Sequence, residues 1–590
     1  MHRRINKIIS VIIIFIIVFS PFNTFAQINT SAVQRFSDIP EGHWADQIIH
    51  EARAKNITQG MENNRFGLGI PLKRSEFVKS LVSILNWELI DPAAGSFNDN
   101  RDKNQWFYKY VETAAAHGVF GKDSGIFRPD EPITREEMAV MIVRGLGYGP
   151  LAEQKWNMER TFDDVDSNVG YITVAKDLGI VSGKGNNLFE PSSTANREEG
   201  IAMLMRMYNK LNSGLQDLHA FYAISSYGQR DFIPALSSVS FGWSRLEFDP
   251  AKNQVILNMS QQNGNSFSLP AGFSEPVALA RENHVSAQLS VFASQDQLVA
   301  DPEKQSQVGL VEYIVSNPEV RKSVIASIVR QLDSTEKDGE KTSFDGVVID
   351  FENMKDTFTK GTYLSQSFNI FLSELKEELI HGNKKLYVAV HPKRKAGQPY
   401  YDGYDYKAIG QLADKVILMA HDYNATRLTE EEMKQGYTLT PLTPIDEIYY
   451  ALKAATDKNS GISDPGKIWL QISFGSVQWK LKDGKVINQS AYLPYYSSIR
   501  ERLASSDAAQ NLNVQYPENI KNPLLRYFNS GDGTDNVLWY EDSRSVQAKI
   551  QMAKMFGVTG ISLWRLGTVP NYEAGIHLDV WQQIGKLTGK

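Results

Sequence analysis

The sequence predicts a multidomain fold: an N-terminal all-α region of three repeats, followed by a C-terminal α/β TIM (β/α)8 barrel with a small insertion before its last strand. Two observations lead to this prediction. A set of short motifs recurs three times before residue 213, with an arginine at intervals of 61 and 62 positions. After Leu215, eight short apolar runs alternate with amphipathic helical patterns, as parallel strands and crossover helices do. The predicted domains are residues 27–95, 96–158, 159–212 and 215–590.

The composition is that of a folded protein and excludes several classes of function. Of 590 residues, 42% are hydrophobic and 22% are charged, with a formal net charge of −6. This charge argues against a general nucleic-acid-binding protein, which is normally basic. The chain has no cysteine, which excludes disulfides, thiolate nucleophiles and cysteine-based zinc sites. The ten histidines are scattered and no phosphate-binding loop stands out, so we expect neither a metal nor a nucleotide cofactor.

The first 26 residues have the pattern of an export signal. Three basic residues precede the apolar run from Ile8 to Phe19, and small residues stand at Thr24 and Ala26. This arrangement predicts a secretory signal peptide over residues 1–26. The alternative is an uncleaved anchor, although the apolar run is shorter than a membrane-spanning helix normally requires. We therefore expect a secreted protein whose mature form has no membrane segment.

The three repeats share the same motifs in the same order. Each opens with a phenylalanine followed by acidic or polar residues, as in "FSDIPEGHWADQII" from Phe36, and the first two copies carry Trp44 and Trp106. Each closes with a basic–acidic pair that begins an amphipathic helix, as in "TREEMAVMIVRGL". The arginines of these pairs are Arg74, Arg135 and Arg197.

An arginine at the start of a helix suits an anionic ligand. Its guanidinium group is a planar fork that matches a carboxylate, and the helix dipole favours negative charge at this end. The alternative for each arginine is a weak surface ion pair with the glutamate beside it. Because three repeats carry an arginine at the same position, we favour ligand binding.

These residues resemble the S-layer homology domain, whose signature runs F-x-D, Trp, G-I-x-x-G, F-x-P and I-T-R-x-E. The resemblance implies a three-lobed helical module that holds a secondary cell-wall polysaccharide, often an acidic one, and so attaches the protein to the bacterial cell wall or S-layer. The second repeat follows the signature most fully, whereas the third has no tryptophan. The residues implied in polysaccharide binding are Arg74, Arg135, Arg197, Trp44 and Trp106.

The eight apolar runs after Leu215 predict the strands of the barrel. The gap between Ser473 and Tyr540 is longer than a normal crossover and therefore predicts the insertion. The runs are residues 217–224, 239–243, 285–292, 346–351, 386–390, 415–420, 468–472 and 560–564.

The stretch "FDGVVIDFENM", residues 344–354, places two carboxylates at alternate positions of the fourth strand. Because side chains alternate along a strand, Val347, Ile349 and Phe351 are expected to face the helices. Asp350 and Glu352 then face the barrel interior at the strand's carboxyl end, where such barrels hold active sites. A buried carboxylate is costly as a charge, so one of the pair is expected to hold a proton, as a general acid must. The alternative is that both pair with barrel lysines or arginines.

Three segments resemble glycoside hydrolase family 18. "DGVVIDFEN" is similar to the fourth-strand signature D-G-x-x-x-D-x-E, "LMAHDYN" (418–424) to the sixth-strand motif M-x-Y-D, and "GISLWRLG" (560–567) to the last strand. "FGWSRLE" and "LWYEDSRSV" look most like the bacterial branch of spore-cortex and cell-wall glucosaminidases. The residues implied in substrate binding are Trp564, Met419, His421, Tyr423 and Trp243.

The resemblance implies hydrolysis of β-1,4-linked N-acetylglucosamine glycans with retention, assisted by the substrate's own acetamido group. Glu352 would protonate the glycosidic oxygen, and Asp350 would orient the acetamido group and stabilise the oxazolinium ion. Asp422 would help to hold that group, and Trp564 would stack under the reacting sugar. We favour peptidoglycan over chitin, because the anchor places the protein against its own wall.

Two positions depart from the family pattern, and two other functions stay open. Val348 stands where a second inner aspartate is common, and His421 replaces the tyrosine of M-x-Y-D. A neutral His421 can donate to the acetamido carbonyl, whereas a protonated one opposes the oxazolinium charge. The first alternative function is a lectin-like barrel that binds N-acetylated glycans without cleaving them. The second is a purely structural S-layer component.

Overall fold

The computed structural model describes residues 34–121, 125–154, 160–301, 306–359, 361–393, 401–424, 426–505 and 511–588. The signal peptide expected at residues 1–26 lies outside these ranges. Among the helices of the described ranges, none combines the length and the apolar character that crossing a membrane requires.

The N-terminal region is all-α, as predicted, and the second helix of each repeat begins at its arginine. A capping box fixes one of these starts: the Thr134 hydroxyl accepts from the Glu137 amide at 3.2 Å, and the Glu137 carboxylate accepts from the Thr134 amide at 3.0 Å. The helices are α1 (Asp46–Ala54), α2 (Arg74–Ile84), α3 (Tyr108–Ala116), α4 (Arg135–Gly145), α5 (Gly149–Ala152), α6 (Val169–Asp177) and α7 (Arg197–Leu211).

Three backbone hydrogen bonds close the repeats into a ring. The Leu72 amide donates to the Ala195 carbonyl, the Ile133 amide to the Leu72 carbonyl and the Ala195 amide to the Ile133 carbonyl, at 2.9 to 3.0 Å. Each repeat contributes one donor and one acceptor to this triangle. The arrangement is therefore complete only when all three repeats are present.

The three arginines link the same repeats in the opposite direction around the ring and are nearly inaccessible to solvent. Arg74, Arg135 and Arg197 are 6%, 4% and 8% exposed, and each Nε donates to a phenylalanine carbonyl of another repeat at 2.8 to 2.9 Å. The accepting carbonyls are those of Phe127 for Arg74, Phe189 for Arg135 and Phe66 for Arg197. The arginines therefore join one repeat to another, rather than standing free at the surface.

The C-terminal region is a closed parallel barrel, which confirms the predicted fold class. All eight predicted runs form strands, and β1 pairs with both β2 and β8, so that the sheet closes on itself. The strands are β1 (Asp217–Tyr222), β2 (Ser238–Asp249), β3 (Ser286–Ser294), β4 (Gly346–Glu352), β5 (Lys385–Val390), β6 (Lys415–Leu418), β7 (Ile468–Ser473) and β8 (Gly560–Trp564).

Helices surround the barrel, and the two faces of β4 divide as the alternation predicts. The Phe351 ring packs outward against Phe368 and Phe371, with centroids 5.7 and 5.3 Å away, whereas Val348 belongs to the apolar cluster inside the barrel. The helices are α8 (Ser274–Glu282), α9 (Leu310–Ser316), α10 (Pro318–Asp333), α11 (Leu364–His381), α12 (Tyr406–Leu412), α13 (Glu430–Lys434), α14 (Ile445–Ala455), α15 (Tyr496–Ala504), α16 (Ser543–Met555) and α17 (Val580–Thr588).

The predicted insertion between β7 and β8 is a five-stranded antiparallel sheet together with α15. A buried ion pair holds the segment that leads from the insertion back to the barrel. Lys549 Nζ lies 2.7 Å from a Glu541 carboxylate oxygen, with both side chains at most 3% exposed. The strands are Lys485–Val486, Val477–Lys482, Thr534–Trp539, Leu524–Asn529 and Asn513–Gln515 in sheet order.

The repeats and the barrel pack directly against each other. The ends of α7 and α16 exchange hydrogen bonds: Lys210 Nζ donates to the Met555 carbonyl at 2.7 Å, and Lys554 Nζ donates to the Leu211 carbonyl at 3.2 Å. Each lysine thus satisfies a carbonyl at the end of the opposite helix, where the helix dipole favours a cation. One continuous apolar core extends through both regions.

Arg197→Ala is expected to lower the free energy of unfolding by about 1.5–3 kcal/mol, because a charged hydrogen bond to a buried carbonyl and a half-buried ion pair are lost. Arg197 Nη1 donates to Glu76 at 2.8 Å, and its Nε donates to the buried Phe66 carbonyl at 2.9 Å. Urea unfolding of the full chain, followed by circular dichroism, measures the change.

Lys73→Ala is the matched control. Lys73 also joins two repeats, through an ion pair with Asp130 at 2.8 Å, but these side chains are 50% and 75% exposed. Solvent screens such a pair, so its loss is expected to cost less than about 1 kcal/mol. Equal losses of stability in the two variants would contradict a structural role for the three arginines that join the repeats.

Candidate active site

The carboxyl end of β4 carries the two carboxylates that the sequence singles out. Asp350 is 5% exposed, and its Oδ1 has no hydrogen-bond partner among the described residues. Glu352, the last residue of the strand, is partly buried. In the described part of the chain neither carboxylate forms an ion pair with a lysine or arginine, so the alternative of structural ion pairing is not realised there.

The surroundings favour protonated carboxyl groups. Burial raises the pKa of Asp350 well above its ordinary value, and the neighbouring Glu352 charge raises it further. Burial also raises the pKa of Glu352; His421 opposes this effect, and the charges of Asp422 and Asp296 add to it. Two such groups at one strand end therefore retain a proton at a pH where an exposed carboxyl group has lost it.

The loop after β6 places a charged pair beside the carboxylates. His421 Nδ1 and an Asp422 carboxylate oxygen are 2.6 Å apart, and His421 Nε2 and Gln471 Oε1 are also 2.6 Å apart. The His421 side chain is 10% exposed and that of Asp422 is 63% exposed. Asp422 adopts a positive φ of 57°, a left-handed conformation that aspartate tolerates better than most residues.

The protonated form of His421 is favoured in this arrangement. Burial opposes its charge, but the Asp422 carboxylate and the hydrogen bonds to Asp422 and Gln471 outweigh burial and raise its pKa. Burial raises the pKa of Asp422, but the charge and hydrogen bond of His421 together with His391 outweigh burial, so the pKa is lowered. His421 and Asp422 thus act as an ion pair rather than as two neutral groups.

A cleft of about 490 Å³ opens next to these residues and contains Trp564. The indole at the end of β8 is partly buried and packs edge-on against Phe221, with ring centroids 5.1 Å apart. Asp422 lines the same cleft. The barrel therefore brings an aromatic surface and an exposed carboxylate together at its mouth, beside the buried carboxyl pair.

The structure places Trp243 away from this group, which corrects the expectation of a substrate contact. Its ring is fully buried, with centroids 4.4 Å from Phe241 and 6.2 Å from Phe273 of the layer under α8. Ser240 of the same strand faces inward, where its hydroxyl meets His219 at 2.7 Å. These contacts place Trp243 on the outer side of β2, where it has no surface to offer a sugar.

Met419 and Tyr423 flank the site but are largely covered, at 6% and 7% exposure. Met419 belongs to the apolar cluster inside the barrel, against which Trp564 packs. Their prediction as substrate contacts stays a prediction.

Sequence reasoning missed Gln471, His391 and Tyr404. Gln471 of β7 hydrogen-bonds to His421 Nε2, on the side of the imidazole opposite Asp422. The feature of the sequence that could have identified it is a polar residue within the apolar run "IWLQI". The Tyr404 hydroxyl donates to the Phe351 carbonyl at 2.6 Å and so fixes the end of β4. Burial and the His421 charge lower the pKa of His391, which follows β5, to about 4.

A second candidate site lies between the repeats. A groove of about 240 Å³ is lined by Trp44, Arg135, Lys184, Glu199 and Arg206, among others, and Trp44 is 56% exposed. Three cations and one carboxylate face each other across it. The groove thus combines an exposed aromatic ring with an excess of positive charge, which suits an acidic sugar.

Another groove of about 380 Å³ contains Arg74, Glu137, Arg144 and Asn168. Arg197 lines neither groove, whereas Trp106 is 52% exposed and carries Lys79 above its ring at 5.7 Å. The roles predicted for these residues in polysaccharide binding stay predictions.

Comparison with known families divides the chain in the same way. Residues 311–568 match the family described as Glycosyl hydrolases family 18. Residues 35–77, 97–139 and 161–199 match the S-layer homology domain.

The curated relatives are distant and match in part. Cortical fragment-lytic enzyme of Bacillus anthracis is 29% identical over 210 residues, 34% of this chain and 43% of that protein. Exoglucanase XynX of Acetivibrio thermocellus is 28% identical over 186 residues, 30% of this chain and 16% of that protein. The chain therefore spans less than half of the length of these relatives. Among solved structures, the Bacillus cereus spore cortex-lytic enzyme SleL aligns with 20% identity and a TM-score of 0.45, covering 62% of this chain and 73% of that one.

Asp350→Asn is expected to stabilise the protein more at about pH 7 than at about pH 3. A raised pKa means that the folded state binds the proton more tightly, so stability falls as pH rises from the ordinary value of 3.8 toward the raised one. Asparagine cannot ionise and escapes this loss. Thermal unfolding of the variant and the wild type across this pH range measures the difference in Tm.

Asp414→Asn supplies a control of opposite sign. Asp414 accepts from Lys376 Nζ at 2.7 Å and from the Leu386 amide at 2.8 Å, and these contacts outweigh burial and lower its pKa. Relative to the wild type, Asp414→Asn is therefore expected to become less stable as pH rises from the lowered pKa of Asp414 toward 3.8, and to keep that deficit above it. A difference in Tm for Asp350→Asn that does not change with pH would contradict the raised pKa.

Proposed function

Because the chain carries a family 18 glycosyl hydrolase domain behind three S-layer homology domains, we propose that it is a secreted glycoside hydrolase attached to the cell wall. Its substrate is a glycan of β-1,4-linked N-acetylglucosamine, with peptidoglycan favoured over chitin. One observation carries the proposal of hydrolysis. A carboxyl pair of raised pKa, without a cationic side chain paired to it in the described residues, lies beside a cleft that contains Trp564.

Glu352 is the general acid of the proposed reaction. In the reactive state the carboxyl pair shares one proton, and the His421 cation favours the accompanying negative charge. Glu352 gives the proton to the glycosidic oxygen as the bond to the anomeric carbon breaks. Because the leaving sugar departs as an alcohol, Glu352 is left as a carboxylate.

The substrate's acetamido oxygen is the nucleophile. It attacks the anomeric carbon and forms an oxazolinium ion, whose positive charge the ionised Asp350 stabilises. Water then attacks the same carbon, Glu352 takes a proton from it, and the configuration is retained. This route departs from the common scheme with two catalytic carboxylates, and it requires an N-acetylated sugar.

The His421–Asp422 pair defines how the acetamido group is held. The imidazolium is already engaged by Asp422 and Gln471, so its charge is offset before substrate enters. The exposed Asp422 carboxylate faces the cleft and is available to the acetamido group. Because Asp422 already balances the charge of His421, the histidine opposes the developing positive charge of the oxazolinium ion less strongly.

The name of the Bacillus relative, a cortical fragment-lytic enzyme, supports a cell-wall substrate. The grooves between the repeats support the attachment. Trp44 offers a stacking surface, while Arg135 and Arg206 provide the charge that an acidic secondary polysaccharide requires.

Glu352→Gln is expected to lower kcat on a chromogenic N-acetylglucosamine disaccharide by at least about 10²-fold, because glutamine cannot donate the proton. Glu319→Gln, an exposed change on α10, is the matched control and is expected to keep wild-type activity. A substrate with a free 2-amino group tests the acetamido requirement. Retained activity in Glu352→Gln would refute the assigned acid, and equal rates on the amino and acetamido substrates would refute substrate assistance.

Trp44→Ala is expected to weaken retention on isolated cell walls by about tenfold, because an exposed aromatic anchor is lost from the groove. Retention in a sedimentation assay measures this effect, with acid-stripped walls as the substrate control. Ile126→Ala changes a side chain that is similarly exposed, 57% against 56% for Trp44, and lies outside the two grooves described above. Equal retention of both variants would exclude Trp44 from the binding surface.

A further inference from the structure

Both ring nitrogens of His421 are already engaged by neighbouring side chains. Nδ1 lies 2.6 Å from an Asp422 carboxylate oxygen, and Nε2 lies 2.6 Å from Gln471 Oε1. An ionised carboxylate and an amide oxygen both accept hydrogen bonds and cannot donate them. The two contacts are therefore satisfied together only when both ring nitrogens carry a proton, which makes the ring an imidazolium.

The amide of Gln471 is attached to this ring through its oxygen alone. Gln471 is 2% exposed, and it points into the barrel, because Trp469, two residues earlier on β7, belongs to the interior cluster. The Gln471 amide nitrogen is buried and has no hydrogen-bond partner among the described residues. Beyond the contact with His421, no hydrogen bond in the described part of the chain therefore opposes a half turn of this amide.

The same amide can also serve a neutral ring. When His421 loses the proton on Nε2, that nitrogen becomes an acceptor, and the Gln471 oxygen no longer suits it. A half turn of the amide presents its NH₂ group to Nε2, while Nδ1 continues to donate to Asp422. The turn gives a partner to a buried donor that is otherwise costly to leave unpaired. The proton of His421 and the orientation of the Gln471 amide are thus linked.

The other ionisable groups around the ring act at a distance or through Nδ1. Asp350 and Glu352 face His421 from β4, and His391 faces it from the segment after β5. The Asp422 and Glu352 carboxylates favour the imidazolium, whereas burial opposes it. A charge on His391 would oppose it as well. The Nε2 side of the ring is left to the glutamine amide.

We propose that Gln471 is a positioning residue that selects the protonation state of His421, through its amide oxygen for the imidazolium and through its amide nitrogen for the neutral ring. In both states the two ring nitrogens are occupied. The hydrogen bond that a neutral His421 could donate to an acetamido carbonyl is therefore unavailable, and the ring acts on the substrate through its charge. The effect on glycan cleavage rests on the proposed function, whereas the selection of the protonation state does not.

Titration of His421 by nuclear magnetic resonance tests the selection in the full chain without substrate. Carbon-13 at the histidine Cε1 atoms reports the protonation of each ring, and the signal lost in His421→Asn identifies this one. Gln471→Leu is expected to lower the pH of half-protonation by about one unit, because a hydrogen bond to a charged group is lost. Gln471→Glu keeps the acceptor oxygen, has no amide N–H, and is expected to raise that pH.

Gln288→Leu is the matched control. Gln288 is also a buried glutamine inside the barrel, on β3, but it hydrogen-bonds to Ser238 and Ser286, so its loss is expected to leave the titration of His421 unchanged. Titration at the wild-type pH in both Gln471 variants, or an equal lowering in both, would overturn the proposal. If Gln471→Leu does not fold, Gln471→Glu decides alone, and titration at or below the wild-type pH overturns the proposal.

The pH dependence of kcat/KM connects the ring to catalysis. In the proposed reaction the active form carries the His421 proton and one proton on the carboxyl pair, so easier loss of the ring proton moves the alkaline limb of the profile to lower pH in Gln471→Leu. Gln288→Leu is expected to change at most the height of the profile. An alkaline limb that stays in place would overturn Gln471 as a positioning residue for the reaction. A wild type that cleaves no N-acetylglucosamine glycan would overturn the hydrolase, whereas the titration would still decide whether Gln471 selects the protonation state.

Discussion

The site depends on closure of the parallel barrel by the pairing of β1 with both β2 and β8. Closure removes the open edges of the sheet and points all eight strand ends to one face of the barrel. Residues separated by more than two hundred positions, such as Asp350 and Trp564, then meet around one mouth. No single loop could bring a carboxyl pair, an ion pair and an aromatic floor together in this way.

Closure also explains the unusual electrostatics of the site. The inward face of β4 is enclosed by seven other strands, so a carboxylate there loses water without gaining a cationic partner. The protein tolerates this cost at Asp350 and places a compensating charge two strands away, in His421 after β6. That histidine is in turn fixed by Gln471 of β7 and by Asp422. The protonation of the carboxyl pair therefore depends on groups from three separate strands.

The periodic features could be predicted from the sequence, whereas features that depend on neighbours in space could not. Eight apolar runs and the alternation around Asp350 fixed the strands and their faces, because strand geometry has a period of two. The arginine spacing located three equivalent residues but not their partners, which come from other repeats. Gln471 acquires its role only through the position of the His421 loop, which has no period to read.

The direct packing of α7 against α16 limits the positions that the mouth of the barrel can reach. A barrel on a flexible linker explores a volume that grows with linker length. Here the end of α7 at Leu211 lies close in sequence to the first barrel strand at Asp217, and the reciprocal lysine contacts hold both ends. A molecule bound through the grooves between its repeats therefore holds the mouth of the barrel at a fixed distance and orientation relative to the bound ligand. In the proposed function it can act only on glycan strands that pass through that position, so the region it reaches is set by growth of the surrounding wall and by detachment of the molecule, not by its own diffusion.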